Sequence, residues 1–266
     1  MNLILFLCIC GLCISYLTTY KLILKGFKVL FSHNPISKLY GLTLRPRIVN
    51  LIIYNESSEY ERQMQAELQR LFNGAKYGSY TKQLFISCKP TLTDVTHESG
   101  HMLYIKCSES YIPGILHKTI EAMQYCMKTY EFDILIRSNI STVIDFHRLQ
   151  IHPTYDFFYG SSYVWNRSEP DKSFASGTNI ILNRRAVEYL IANLDYTQVK
   201  TPDDVAIGDV LSRVTIPYQM PVKMIWNYDD PNGVVFRNRD EKDDRTKDVT
   251  HMASIVDRLL TLYMDK

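Results

Sequence analysis

Short apolar runs alternate with helix-like segments along this chain of 266 residues, and this alternation restricts the folds that the chain can adopt. The apolar runs, each of strand length, are residues 48–54, 82–88, 101–106, 132–136 and 180–182. The helix-like segments are residues 59–72, 113–130, 184–193 and 251–263. Strands that alternate with helices form a mixed sheet covered by helices. The sequence therefore predicts an α/β fold with a mixed central sheet flanked by helices.

The N-terminal segment is almost wholly apolar from residue 3 to residue 24, apart from Lys21. A membrane-spanning helix needs ~20 apolar residues, so this segment is long enough to cross a bilayer. It lacks the basic start and the small-residue cleavage site of a secretory signal peptide. We therefore predict a single-pass transmembrane signal-anchor at residues 1–24, a stem at residues 25–46 and one folded domain at residues 47–266.

Lysines mark only the C-terminal end of the predicted membrane span. Lys21, Lys25 and Lys28 come at its end or after it, and no lysine or arginine precedes it. The positive-inside rule then predicts that the folded domain lies on the cytoplasmic side of the membrane. Because the asymmetry consists of three lysines, a lumenal domain remains the alternative.

Net charge and cysteine content bear on partners, metal sites and cellular compartment. The formal net charge is +2, which gives no electrostatic reason to expect a nucleic-acid partner. Outside the apolar N-terminus the chain has Cys88, Cys107 and Cys126, which lack metal-ligand spacing. Because three is an odd number for a disulfide framework, we expect buried, inert thiols in a reducing compartment.

Two loop segments carry polar side chains that could perform chemistry. Residues 202–208 (PDDVAIG) place Asp203 and Asp204 at the start of a second apolar turn, after the strand 180–182 and the helix 184–193. A carboxylate there can act as a general base or as an N-terminal helix cap, and one residue can do both. Tyr54 and Asn55 end the first strand, where nucleotides commonly bind in open α/β sheets.

Two further polar segments each have alternative interpretations. Residues 137–139 (Arg-Ser-Asn) form a polar turn after the strand 132–136, and residues 140–149 continue as a helix or a loop. Residues 237–248 are highly charged, which predicts a mobile loop. Its basic residues could close on phosphates, or they could be a solvated run of charge. These residues are Arg237, Arg239, Arg245 and Lys247.

Several of these stretches together resemble the β-1,3-galactosyltransferases and Fringe-type glycosyltransferases, in a divergent form such as large DNA viruses and bacteria carry. The stretches are residues 109–119 (ESYIPGILHKT), 132–139 (FDILIRSN), 176–182 (SGTNIIL) and 203–208 (DDVAIG). The resemblance implies a GT-A fold, with residues 47–266 as the catalytic domain. It also implies inverting transfer of a hexose from a nucleotide-sugar donor, foremost a UDP-sugar, to a glycan acceptor, so both molecules are expected partners. Asp204 matches the general base best, and Asp203 is the second candidate.

The same resemblance, together with the strand-end and aromatic patterns, assigns the other candidate site residues. The donor-binding candidates are Arg137, Ser138, Asn139, Lys118, Tyr54 and Asn55. The acceptor-binding candidates are Trp165, Tyr163, Ser176 and Gly177. Aromatic faces stack on sugar CH groups, although plain core packing also explains aromatic residues of this kind.

Residues 137–139 occupy the place of the aspartate triplet with which the family binds a divalent metal. Asn139 offers only a neutral amide oxygen, whereas Mn²⁺ and Mg²⁺ prefer carboxylates. We therefore expect Arg137 to bind the diphosphate directly, with Mn²⁺ or Mg²⁺ doubtful as a cofactor. Asp133 or Asp145 could approach a metal instead, and Arg137 could be a structural ion-pair partner.

Two other functions compete with the transferase. The missing aspartate triplet fits a catalytically inactive sugar-binding module on the same fold. Alternatively, Asp133, Asp203 and Asp204 could form the site of a metal-dependent phosphohydrolase.

Overall fold

The computed structural model describes residues 47–56, 59–76, 81–149, 151, 156–165, 173–226, 230, 232–239 and 245–264. All the elements below belong to one compact unit, Pro46–Lys266. The predicted signal-anchor and stem lie outside the described residues. Within those ranges, no helix combines the length and the apolar character that a bilayer span requires.

Each strand and helix of the predicted alternation coincides with a strand or a helix of the structure, and further short strands lie between them. The strands are β1 (Ile48–Ile53), β2 (Thr81–Cys88), β3 (Thr96–Ser99), β4 (Met102–Ile105), β5 (Ile134–Asn139), β6 (Thr142–Ile144), β7 (Tyr159–Ser161), β8 (Val164–Trp165), β9 (Phe174–Ala175), β10 (Asn179–Asn183), β11 (Tyr218–Gln219), β12 (Met224–Trp226) and β13 (Val235–Arg237). The helices are α1 (Tyr60–Lys76), α2 (Gly114–Thr129), α3 (Arg184–Asn193), α4 (Asp203–Leu211) and α5 (Arg245–Met264).

The main sheet has the strand order β11-β7-β10-β5-β1-β2-β4-β3. Strands β5, β1, β2 and β4 are parallel, whereas β10 is antiparallel to β5. The mixed α/β sheet predicted from the sequence is therefore confirmed. Helix α1 connects β1 to β2, which lies on one side of β1. Strand β5 comes later in the chain and lies on the other side of β1. Such a reversal of strand order opens a crevice at the carboxyl ends of the two strands, here β1 and β5.

Alternating side chains of the central strands supply a hydrophobic core to each face of the sheet. Leu51 and Leu135 belong to the core that includes buried residues of α2, α3 and α4. Ile134 and Ile136 belong to a second core that includes buried residues of α5. Because successive strand residues point to opposite faces, each central strand is buried on both sides.

Three local predictions are corrected by this topology. Residues 137–139 are the last part of β5 rather than a turn, because β1 pairs with this strand as far as Asn139 and β10 as far as Ser138. Residues 140–149 contain β6 in place of a helix. Arg237 ends the buried strand β13, and α5 already begins at Arg245, so these two parts of the predicted mobile loop are regular structure.

The cysteine prediction is wrong for two of the three residues. Cys88, at the end of β2, forms a disulfide with Cys107, which follows β4. Because β2 and β4 are neighbouring parallel strands, their carboxyl ends bring the two residues together. Cys126 is a buried free thiol, and burial raises its pKa.

We expect the double variant Cys88→Ser/Cys107→Ser to lose about 3 kcal/mol of unfolding free energy, since the bond closes a loop of 19 residues and restricts the unfolded chain. Urea denaturation followed by circular dichroism measures this loss. Reductant should lower the wild-type midpoint to that of the variant and leave the variant unchanged. Equal midpoints for both proteins without reductant would contradict the prediction.

Candidate functional site

A cleft of about 620 Å³ opens at the carboxyl ends of β1 and β5, where the topology places a crevice. The charged residues among those that line it are Arg62, Arg137, Asp203, Asp204, Arg237, Arg239 and Arg245. Five arginines against two aspartates give this described part of the lining an excess of positive charge. The cleft is thus electrostatically suited to an anionic ligand.

Arg137 projects from the end of β5 and is almost completely buried, with 2% of its surface exposed. Its Nη2 donates to Asp203 Oδ1 at 2.9 Å. Its Nη1 donates to Asn139 Oδ1 at 3.0 Å and to the carbonyl oxygen of Gly177. These bonds fix the guanidinium at the inner wall of the cleft.

Asp203 and Asp204 occupy the first turn of α4, where negative charge is favoured by the helix dipole. Pro202 rather than either aspartate is the N-cap residue, so the predicted role at the helix start holds for the first turn but not for the N-cap position itself. Asp203 is buried and forms an ion pair with Arg137, with Nη2 2.7 Å from Oδ2. Burial raises the pKa of the Asp203 carboxyl, and the guanidinium of Arg137 opposes this rise.

Asp204 also lines the cleft, but unlike its neighbour it is only half-buried. Its Oδ2 accepts a hydrogen bond from the Gly177 N–H at 3.1 Å, and its Oδ1 accepts one from the Val205 N–H at 3.0 Å. The adjacent carboxylates therefore have different environments: that of Asp203 is held in a buried ion pair, and that of Asp204 is oriented by backbone donors at the cleft surface.

Gly177 lies in the turn between β9 and β10 and contacts both charged partners. A Cβ atom at this position would lie 3.0 Å from Arg137 Nη1 and 3.1 Å from Asp204 Oδ2. A side chain here would push these groups apart. Glycine lets the turn backbone accept a bond from the arginine and donate one to the aspartate.

A second group of arginines comes from the C-terminal part of the chain. Arg237, at the end of β13, is 6% exposed, and its Nη1 donates to Thr142 Oγ1 at 3.1 Å. Arg245, at the start of α5, forms an ion pair with the fully buried Asp248 at 2.8 Å. Burial, helped by the charge of Arg239 and other arginines, lowers the pKa of Arg237 to about 9, so this group is still charged at neutral pH.

The structure brings half of the predicted site residues to the cleft. Those that line it are Arg137, Asn139, Ser176, Gly177, Asp203 and Asp204. The residues that do not line it are Tyr54, Asn55, Lys118, Ser138, Tyr163 and Trp165. Ser138 points to the other face of β5 because side chains alternate along a strand, and its Oγ donates to Asn50 Oδ1 at 2.9 Å.

Lys118 is buried and does not line the cleft. Its Nζ donates to the Tyr54 carbonyl oxygen at 2.6 Å and to Glu109 Oε2 at 2.8 Å. Glu109 also accepts the Cys88 N–H at 2.7 Å. Burial lowers the pKa of Lys118, and Glu109 opposes the change. These contacts indicate a structural role, so Lys118 is left out of the proposed site.

The other predicted residues that do not line the cleft lie elsewhere in the fold. Tyr54 is buried with its ring edge-on to Phe85 at 5.9 Å, and Asn55 is half-buried. Tyr163 and Trp165 pack edge to face at 5.1 Å beside β8. Because β8 pairs with β9, which leads into the Gly177 turn, this aromatic pair belongs to a neighbouring hairpin.

Three residues that line the cleft were not predicted as site residues: Arg62, Tyr111 and Trp226. Arg237, Arg239 and Arg245 also line it, and they belong to the charged segment whose basic residues were expected either to close on phosphates or to be solvated. Tyr111 and Trp226 are large exposed aromatic side chains. One signal could have indicated that Arg237 is buried, because it directly follows the apolar run 234–236 as Arg137 follows the run 134–136.

The residues at the predicted metal position do not fit a divalent cation. The Asn139 amide oxygen accepts a bond from the Arg137 guanidinium, and Asp203 is paired with the same group. A cation there would face a fixed positive charge. In the part of the chain that the structure describes, no cluster of three or more His, Cys, Asp or Glu is placed to hold a metal.

The other two aspartates proposed as metal ligands bind arginines. Asp133 lies just before the start of β5, at the opposite end from Asn139, and its carboxylate accepts a bond from the Arg47 N–H at 2.8 Å. Asp145 is fully buried and pairs with Arg148 at 3.3 Å. The ligand set of the phosphohydrolase alternative, which needs Asp133 beside Asp203 and Asp204, is therefore wrong.

Comparison with solved structures finds similar folds, whereas the sequence comparisons find none. No family model matches the chain, and no curated protein matches it significantly. The crystal structure of a glycosyltransferase involved in the glycosylation of the major capsid of PBCV-1 is similar over 78% of this chain and 99% of that chain, with 10% identity and a TM-score of 0.45. At this level of similarity, function has to be inferred from the site itself.

Proposed function

We propose that this protein is a glycosyltransferase that moves a hexose from a nucleotide-sugar, foremost a UDP-sugar, to a hydroxyl group of a glycan. The proposal rests on the half-buried Asp204 carboxylate, which is oriented by the Gly177 N–H in a cleft lined by five arginines. A carboxylate can deprotonate a hydroxyl, and nearby guanidinium groups can stabilise a departing diphosphate. Both groups meet at the strand ends where α/β sheets commonly bind nucleotides.

In the proposed reaction Asp204 accepts the proton of the acceptor hydroxyl as its oxygen attacks the anomeric carbon. The bond between that carbon and the diphosphate oxygen breaks on the opposite face, so the configuration inverts. The diphosphate leaves with the bonding electron pair, and the arginines offset its charge. Asp203 acts as a positioning residue, because its carboxylate is held by Arg137. The resemblance of residues 176–182 and 203–208 to the β-1,3-galactosyltransferase and Fringe-type family agrees with this assignment.

The acceptor is proposed to bind on the side of the cleft formed by Ser176 and Gly177. Trp226 also lines the cleft and has 52% of its surface exposed. An exposed indole face can stack on the CH groups of a sugar ring. Trp165 and Tyr163, on the adjacent hairpin, could extend this surface to a longer glycan.

Donor hydrolysis tests the proposed function. The protein is incubated with a panel of UDP-, GDP- and CMP-sugars, each with manganese and with EDTA, and released nucleotide is measured. Hydrolysis of one donor supports the transferase and identifies its sugar. Donor binding without hydrolysis or transfer selects the inactive sugar-binding module. A protein that neither binds nor hydrolyses any donor contradicts the proposal.

We further propose that the folded domain works in an oxidising compartment, on the lumenal side of a membrane. The lysine asymmetry predicts the cytoplasmic side, but the Cys88–Cys107 disulfide favours the lumenal alternative, since cytosolic thiols are kept reduced. The membrane anchor itself stays a prediction. Alkylation and mass spectrometry of protein from its native host test the placement, and free thiols at both cysteines would contradict it.

A further inference from the structure

Arg237 is a buried arginine that forms no ion pair with a carboxylate of the described residues. It is 6% exposed, and the structure records no ion pair between it and a carboxylate of the described residues. Its Nη1 donates to the neutral hydroxyl of Thr142, and its Nε has no hydrogen-bond acceptor among the described residues. Removing an unpaired charge from water is costly, so such a group is expected where a ligand supplies the missing anion.

The described carboxylates near Arg237 form ion pairs with other arginines. Asp203 pairs with Arg137, and Asp248 pairs with Arg245. Burial lowers the pKa of Arg237, and the charges of Arg239, Arg137 and Arg245 lower it further, which means that they make its charged form less favourable; the Asp248 carboxylate opposes this change. The Nε of Arg137 also lacks an acceptor among the described residues. A ligand with two or more negative charges would offset the repulsion within this group.

We propose that Arg237, together with Arg137, Arg239 and Arg245, binds the diphosphate of a nucleoside diphosphate directly, without a divalent metal. This inference rests on the proposed function, because it names how the same cleft holds its donor. Guanidinium groups pair with phosphate oxygens through two parallel hydrogen bonds. The poor fit of Asn139 and Asp203 to a metal leaves the arginines as the source of positive charge for the leaving group.

A ligand-binding arginine and a structural arginine respond differently to removal. In Arg237→Met the apolar replacement removes an uncompensated buried charge, so the thermal midpoint of the free protein should stay the same or rise. The affinity for a diphosphate should fall at least tenfold. The matched control is Arg213→Met, since Arg213 is exposed and does not line the cleft, and its affinity should stay within twofold of wild type.

The experiment is calorimetric titration of the full chain in detergent with UDP, GDP, inorganic pyrophosphate and uridine, first in EDTA and then with manganese. We expect one or both nucleoside diphosphates and pyrophosphate to bind in EDTA, and uridine to bind at least tenfold more weakly than UDP. The inference is overturned if diphosphate binding needs manganese, if Arg237→Met binds like wild type, or if this variant loses thermal stability. Uridine binding as tight as UDP binding would also overturn it, because the base would then supply the affinity.

The same titrations separate this inference from the proposed function. Donor hydrolysis that requires manganese would overturn the arginine site and leave the transferase standing. Diphosphate binding in EDTA without transfer from any donor would support the arginine site and contradict the transferase. The absence of diphosphate binding under both conditions overturns the inference, while donor hydrolysis decides the proposed function independently.

Discussion

Replacing Asp204 with asparagine should lower the rate of sugar transfer by ~10²–10⁴-fold, the usual contribution of a positioned general base. Asparagine has nearly the same size, and its amide oxygen can still accept the Gly177 N–H, but it cannot accept the proton of the acceptor hydroxyl. The fold and the donor affinity should therefore survive. The turnover number with a saturating donor measures the first effect, and calorimetric titration with the donor measures the second.

The control for Asp204→Asn is Asp209→Asn, on the same helix. Asp209 is exposed and does not line the cleft, so the variant loses an equal charge from α4 and should stay within twofold of wild-type turnover. Full turnover in Asp204→Asn would show that the base lies elsewhere. A loss of donor affinity equal to the loss of turnover would mean that Asp204 positions the donor instead.

The parts of the fold that were predicted correctly are those that depend on local sequence. The helix 184–193 was predicted with the bounds of α3, and the strand 180–182 lies within β10. The position of Asp203 and Asp204 in the first turn of a helix was likewise predictable, since proline and acidic residues favour helix starts. Local preferences of this kind act over a few residues, so the sequence pattern contains them.

The parts that were missed depend on pairing between distant segments. Arg237 is buried because β13 pairs with β6, which places it opposite Thr142, 95 positions earlier. The charged residues around it predict a solvated loop, and no local pattern shows the pairing. Ser138 was assigned to the site because the resemblance places residues 137–139 at the aspartate triplet, and these residues were also interpreted as a turn. Once they are part of a strand, side-chain alternation directs Ser138 away from Arg137 and Asn139.

Replacing Asp203 with asparagine should lower the unfolding free energy by about 3–5 kcal/mol, the typical cost of removing one partner of a buried ion pair. Arg137 is 3% exposed and Asp203 7% exposed at their side chains, so solvent screens this pair little. Burial disfavours both charges, and each is tolerated because the other is present. Asparagine keeps a hydrogen-bond acceptor but leaves the guanidinium charge uncompensated. Urea denaturation followed by circular dichroism measures the loss.

The double variant Arg137→Met/Asp203→Leu distinguishes an electrostatic cause from simple loss of packing. It replaces both charges with apolar side chains, so we expect it to be more stable than Asp203→Asn alone. A double variant as unstable as the single one would mean that the shape of the pair matters more than its charge. We expect the double variant to fold and yet to transfer sugar more slowly than wild type. The reason is that it lacks the guanidinium that binds the Gly177 carbonyl oxygen.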